Sequence, residues 1–255
     1  MRFLPFASRL ILTSCCALSL AACATTSTQS VPVETVSDQS LRNTVYSLTH
    51  KTYSAEDIEL LKTTYEADTT NVFASIRYAH ALRSQKKYKQ VKDILLPLYN
   101  AENPYPVIQA EYASILLDMK AYKGAEKAIN KAINQEPNDP YAHNLLGNIL
   151  STQERHDEAE VAYRHALEHW SGNKVPVLNN LALSLMGQGK FDDAAETLEQ
   201  AKEIEPDSYD IERNLRIVNA LRETEYEIKG KKEKLKAERA ENAPPVPTEK
   251  PDKKE

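Results

Sequence analysis

Between residues 106 and 135 the apolar positions separate into two stripes. Tyr112, Ala113, Leu116 and Leu117 share one helical face, and Tyr122, Ala125, Ile129, Ala132 and Ile133 share another. Two short helices folded back on each other follow from that break. The arrangement recurs: Ala79, Ala113, Gly147 and Ala182 are small residues spaced by 34, 34 and 35, each behind a large apolar or aromatic neighbour. Ala125, Ala159 and Ala194 keep the same period, as do Ala132, Ala166 and Ala201, while Pro137 and Pro206 stand where a second helix should stop. Small side chains are needed there because paired helices approach closely, and a branched residue would push the backbones apart. The predicted class is all-α, a solenoid of stacked antiparallel hairpins over residues 72–208.

A solenoid must cover its two ends. Residues 41–71 read as a degenerate N-terminal hairpin, with Leu41, Val45 and Leu48 on one helix and Ile58, Leu61 and Tyr65 on the next, which Ser54 and Asp57 are spaced to cap. Residues 209–224 read as a C-terminal capping helix. Ile211, Leu215, Val218 and Leu221 continue the stripe, but Arg216 occupies the position where a further hairpin would have to approach. From Glu225 the stripe is replaced by alternating lysine and glutamate, giving a charged helical extension over 225–241 and a Pro-rich tail over 242–255 expected to be disordered.

The repeat resembles the tetratricopeptide repeat (TPR), whose period is 34 with small residues at position 8, alanine at 20 and 27, aromatics at 11 and 24 and proline at 32. Pro140 to Asn173 places Leu146, Gly147, Ala159, Tyr163 and Ala166 on that signature. Val175 to Ser208 places Leu181, Ala182, Gly189, Phe191, Ala194, Ala201 and Pro206 on it, with leucines at positions 11 and 24. Val72 to Tyr105 matches more loosely, with Val91 at 20 and Leu98 at 27, and an extra residue near Trp170 to Asn173 lengthens the third unit to 35.

The N-terminal pattern is different. Arg2 and Arg9 precede an uncharged apolar run, Leu10 to Ala22, whose 13 residues fall short of the about 20 needed to span a bilayer. An export signal over residues 1–22 is expected. The run ends Leu20-Ala21-Ala22-Cys23, which resembles the bacterial lipobox, and the resemblance implies that Cys23 becomes the acylated first residue of the mature chain. Three acyl chains make such an anchor effectively permanent, since each buried methylene contributes about 0.8 kcal/mol. Ala24 replaces the aspartate that favours inner-membrane retention in enterobacterial lipoproteins, so the same resemblance implies the periplasmic face of the outer membrane. Residues 23–40, rich in Thr, Ser and Gln, suit a flexible tether with a span of about 20 to 25 Å.

The precursor carries a net charge of −5, and loss of Arg2 and Arg9 with the signal takes it to −7. No basic stripe with interleaved aromatics accompanies that balance, so nucleic acid is not an expected partner. The remaining cysteines, Cys15 and Cys16, lie in the signal, which excludes disulfide stapling of the mature chain. Among six histidines only His165 and His169 share helical i, i+4 spacing. No third ligand is evident beside them, so no metal is assigned and both are expected on a solvated face. Neither a phosphate-binding glycine loop nor a nucleophile in a strand-turn-helix context is present, and Asp192 and Asp193 open a helix whose dipole they complement. No cofactor and no catalysis are expected.

Chemistry is then expected on the concave face, lined by positions 2, 5, 9 and 12 of each first helix. These positions give Phe73, Ile76, His80 and Arg83; Val107, Ala110, Ser114 and Leu117; Tyr141, Asn144, Asn148 and Ser151; Asn179, Leu183 and Met186; and Arg213. An asparagine amide both donates and accepts, so Asn144, Asn148 and Asn179 are suited to hold a peptide backbone whatever its sequence, although each also reads as a tolerated polar residue on an exposed helix. Lysines that clamp a terminal carboxylate in chaperone TPR domains are absent. Arg155-His156-Asp157-Glu158-Ala159, Ala162-Tyr163-Arg164-His165-Ala166-Leu167, Asn179-Asn180-Leu181-Ala182-Leu183-Ser184 and Arg213-Asn214-Leu215 resemble the TadD family of the tight-adherence (Flp) pilus system. That resemblance implies a non-catalytic scaffold for a secretin or pilus machinery at the outer membrane. A type IV pilus pilotin-like lipoprotein or a cell-envelope adaptor shares the same anchor and fold and stays open as an alternative, as does a subunit associated with an enzyme.

Overall fold

The computed structural model describes residues 37–48 and 51–242. The expected export signal, Cys23, most of the tether and the tail from residue 243 lie outside the described residues. Within them all regular structure is helical. Four hairpins follow one another: α3 (Val72–Ser84) with α4 (Tyr88–Tyr99), α5 (Pro106–Asp118) with α6 (Tyr122–Gln135), α7 (Pro140–Thr152) with α8 (His156–His169), and α9 (Val175–Gly187) with α10 (Phe191–Ile204). Each second helix packs on its own partner and on the first helix of the next unit. The first helices therefore begin 34, 34 and 35 residues apart, the spacing of the small residues.

Those small residues are the contact points. Ala79, Ala113, Gly147 and Ala182 are all buried, as are Ala125, Ala159 and Ala194 on the second helices. The hairpin turns repeat as well. Lys86, Lys120, Glu154 and Gly189 occupy position 15 of their units with φ of 58°, 59°, 60° and 76°. The next amide donates back to the helix it has just left, Lys87 to Leu82 at 3.1 Å, Ala121 to Leu116 at 2.8 Å, Arg155 to Leu150 at 3.0 Å and Lys190 to Leu185 at 2.9 Å. This left-handed cap satisfies carbonyls that the helix end would leave unpaired. Only Gly189 adopts it without the steric penalty of a Cβ.

The N-terminal end departs from a hairpin. α1 (Asp38–Leu48) begins inside the range read as tether, because Ser37 accepts the amides of Ser40 and Leu41 and starts the helix early. α1 packs on α3 and α5, whereas α2 (Ala55–Ala67) packs on α3 alone. The expected 41–71 hairpin is thus corrected to two helices doing different jobs. Leu41 and Leu48 are buried in a cluster with Ile76, Val107 and Ile108, against which Val45 and Phe73 pack. These partners belong to the inner face of α3 and α5, so α1 satisfies its apolar stripe on the concave side of the stack. α2, opened by the reciprocal Ser54 and Asp57 capping bonds, buries no residue fully and covers α3 through half-buried Ile58, Leu61 and Tyr65.

At the other end α11 runs unbroken from Tyr209 to Glu241, 33 residues. Ile211, Leu215 and Val218 are buried against α10, and Leu221 is already exposed. Arg216 points to solvent beside Glu212. Beyond that Asp192 of α10 holds the helix, accepting from the Tyr226 hydroxyl at 2.7 Å and pairing with Arg222 at 3.8 Å.

Candidate functional site

The first helices of the stack and α1 enclose a cavity of about 940 Å³. Its floor comes from α3, α5 and α7, its wall from Arg42, Asn43 and Val45 of α1, and its rim from the 136–141 turn with His169 and Ser171. That volume lies near the upper end of the about 300–1,000 Å³ typical of ligand clefts. Of the groove residues expected from the repeat, His80, Arg83, Tyr141, Asn144 and Asn148 line it together with Val107, Ala110 and Ser114. A smaller cavity of about 420 Å³, lined by Tyr99 to Glu102 and Lys131, gathers none of them.

The remaining expected residues lie elsewhere, each for a physical reason. Phe73 is half-buried beneath α1, which covers the α3 end of the face. Asn179 is engaged by a neighbour, accepting from Asn214 at 2.7 Å. Leu183 is exposed beyond the cavity, and Met186 packs against the C-terminal core. Arg213 pairs with Asp210 one turn back and leans on Asn214.

The asparagines form a ladder, but one that is partly spent on the protein itself. Asn148 Oδ1 accepts from the Tyr163 hydroxyl at 2.9 Å and from Asn180 Nδ2 at 3.1 Å. These bonds tie α7 to α8 and α9, so Asn148 is a structural joint whose amide nitrogen is left over for a ligand. Asn144 differs: its Oδ1 is buried and has no partner among the described residues. A buried acceptor without a donor costs about 1–3 kcal/mol, and a ligand N–H delivered to it recovers that cost.

Ionisable side chains in the cavity stand in pairs. His80 Nε2 stands 2.9 Å from Glu111, with the N–H direction off the carboxylate, and Arg83 donates to Asp118 at 2.7 Å. Burial pushes the Glu111 carboxyl up, but His80 and then Arg83 outweigh it and hold the group below the ordinary carboxylate range. Arg42 reaches from α1 to Glu136 at the end of α6 and to Asp139 at the start of α7. Sequence periodicity missed Arg42 because α1 is outside the repeat. The one available signal is a guanidinium set directly beside the apolar stripe at Leu41.

Of the two histidines expected on a solvated face, His169 is exposed and His165 departs. His165 is half-buried, its ring stacked on His143 of α7 at 3.8 Å, and Glu168 places a carboxylate oxygen within 4.8 Å of donor atoms on both His165 and His169. A third potential ligand therefore stands beside the pair that sequence spacing left with two.

Tetratricopeptide-repeat family models match residues 140–207 and residues 97–149. This chain carries tetratricopeptide repeats. No curated protein matches it significantly. Among solved structures, TTC0263, a thermophilic TPR protein of Thermus thermophilus, aligns at 15% identity over 72% of this chain and 100% of its own, with a TM-score of 0.59. YrrB, a TPR protein with an unusual peptide-binding site, aligns at 18% identity over 68% of this chain and 86% of its own, TM-score 0.51. MamA aligns at 17% identity over 67% and 96%, TM-score 0.51. At these identities the likeness is one of fold. TPR repeats build protein-interaction scaffolds. Of the buried polar atoms without a partner among the described residues, His80 Nε2 and Asn144 Oδ1 belong to residues that line the cavity.

Proposed function

We propose that this protein is a non-catalytic scaffold that holds a segment of a partner polypeptide in the cavity between α1 and the first helices. The observation that carries the reading is the lining itself: an unpartnered buried acceptor at Asn144, a half-free amide at Asn148, His80 beside Glu111 and the Arg83–Asp118 ion pair, around about 940 Å³. An extended backbone offers N–H groups at a repeat suited to side-chain acceptors, which gives affinity without demanding a particular sequence. The peptide-binding site named for YrrB supports the choice of ligand class.

The Leu20-Ala21-Ala22-Cys23 motif supports anchorage through acylated Cys23 on the periplasmic face of the outer membrane, and the TadD-like segments support a partner in pilus or secretion-machinery assembly, such as a secretin. No helix among the described residues is long and apolar enough to cross a membrane, so on this reading the lipid is what keeps the scaffold there. The test has two arms in the native host. Cys23→Ser moves the protein from the membrane to the soluble fraction, and Ser114→Arg, which drives a long charged side chain into the cavity, abolishes partner co-purification with helicity unchanged. A Cys23→Ser protein that still sediments with membranes removes the anchor. An undiminished Ser114→Arg yield removes the groove.

A further inference from the structure

We propose that His165, Glu168 and His169 form a divalent transition-metal site at the C-terminal end of α8, with His143 positioning the His165 ring. The three donors occupy i, i+3 and i+4 of one helix, which sets them on one face, and one atom from each already lies within 4.8 Å of the other two. Zinc bound at about 2.0–2.2 Å by nitrogen and oxygen needs donors somewhat closer than that. Glu168 and His169 are exposed, so side-chain rotation closes the gap without moving the backbone.

Three further features favour a ligand role over three solvated side chains. His165 Nδ1 is buried yet has no hydrogen-bond partner among the described residues, an unmet valence that an ion would satisfy. The His165 ring is fixed between neighbours, stacked on His143 at 3.8 Å and tilted against His169 at 5.1 Å. His143 in turn lies 2.7 Å through Nε2 from the Pro137 carbonyl, which requires that nitrogen to carry the proton and locks the ring that supports His165.

Two imidazoles and one carboxylate suit zinc, nickel, cobalt or copper, whereas magnesium and calcium prefer oxygen alone. Three protein donors leave at least one coordination position for water or an incoming group. His169 also lines the groove, so the ion stands at its rim. The site itself does not depend on the groove reading, because it is measured on the protein alone.

The test is zinc titration of the untagged full chain by calorimetry, with cobalt(II) absorption as a second readout. Wild type is expected to bind one equivalent of zinc, to gain thermal stability on binding and to give a visible cobalt band. His165→Ala and His169→Ala, checked for unchanged helicity, each weaken zinc binding by about tenfold or more and lose the band, and EDTA reverses the thermal shift. Absence of saturable zinc binding by the wild type, or equal binding by wild type and both variants, overturns the assignment. Loss of zinc binding with groove capture intact separates this site from the proposed function.

Discussion

Gly147 is glycine because Tyr163 is tyrosine. A Cβ at residue 147 would stand 2.5 to 2.8 Å from the Tyr163 ring, nearer than real side chains approach. In the other three units the residue equivalent to Tyr163 is Leu95, Ile129 or Leu198, and the equivalent of Gly147 is alanine. The third unit thus exchanges one methyl for an aromatic ring whose hydroxyl reaches Asn148. Gly147→Ala should destabilise by about 1–2 kcal/mol, since overpacking costs about 1–3 kcal/mol and the helix regains up to about 1 kcal/mol. In a Tyr163→Leu background the same change should become stabilising by up to about 1 kcal/mol, read as a sign reversal in denaturant melts. Sequence spacing located both residues but not their dependence, because periodicity reports which positions are small and not what fills the space opposite.

At the scale of elements, the hairpins from Val72 to Ile204 are legible in the sequence because each stripe buries against a repeat of itself. α1 is not legible in that way. Its stripe, Leu41, Val45 and Leu48, is the pattern of any amphipathic helix and names no partner, and only the folded stack shows it seated on Ile76 and Val107. Arg42→Ala removes the ion pairs to Glu136 and Asp139 and should raise amide exchange across 38–48 while leaving α7 to α10 protected. Uniform exchange along α1 and α7 in both proteins would show that α1 is held by its apolar contacts alone.

Between units the clearest electrostatic joint is Glu160, which receives Lys190, Arg164 and Gln188. Burial raises its pKa, but the bonds from Lys190, Arg164 and Gln188 prevail and hold it at about 2. A carboxyl depressed on folding contributes stability above its unfolded pKa of about 4.5 and loses that contribution as pH falls toward about 2. Glu160→Gln should therefore be less stable than wild type at pH 7, with the two melting curves converging between about pH 4.5 and about pH 2. A constant difference across that window would assign the loss to packing.

At the largest scale, the described residues form a stack closed by α2 at one end and α11 at the other, with its concave face partly walled by α1. The concave face was predicted as a row of first-helix positions, and the cavity gathers only the middle of that row. α1 covers Phe73, while Asn179 is occupied by Asn214 of α11. Such occupancy depends on contacts between units that no single-repeat pattern contains. On the proposed function a partner polypeptide lies in this cavity. A photo-crosslinking amino acid placed at Ser114 or Asn144, and in parallel at exposed Glu199 on α10, tests it in the native envelope. One discrete crosslinked partner from both cavity positions and none from residue 199 is the expected result; crosslinks from residue 199 alone would show that the cavity is not where a partner binds.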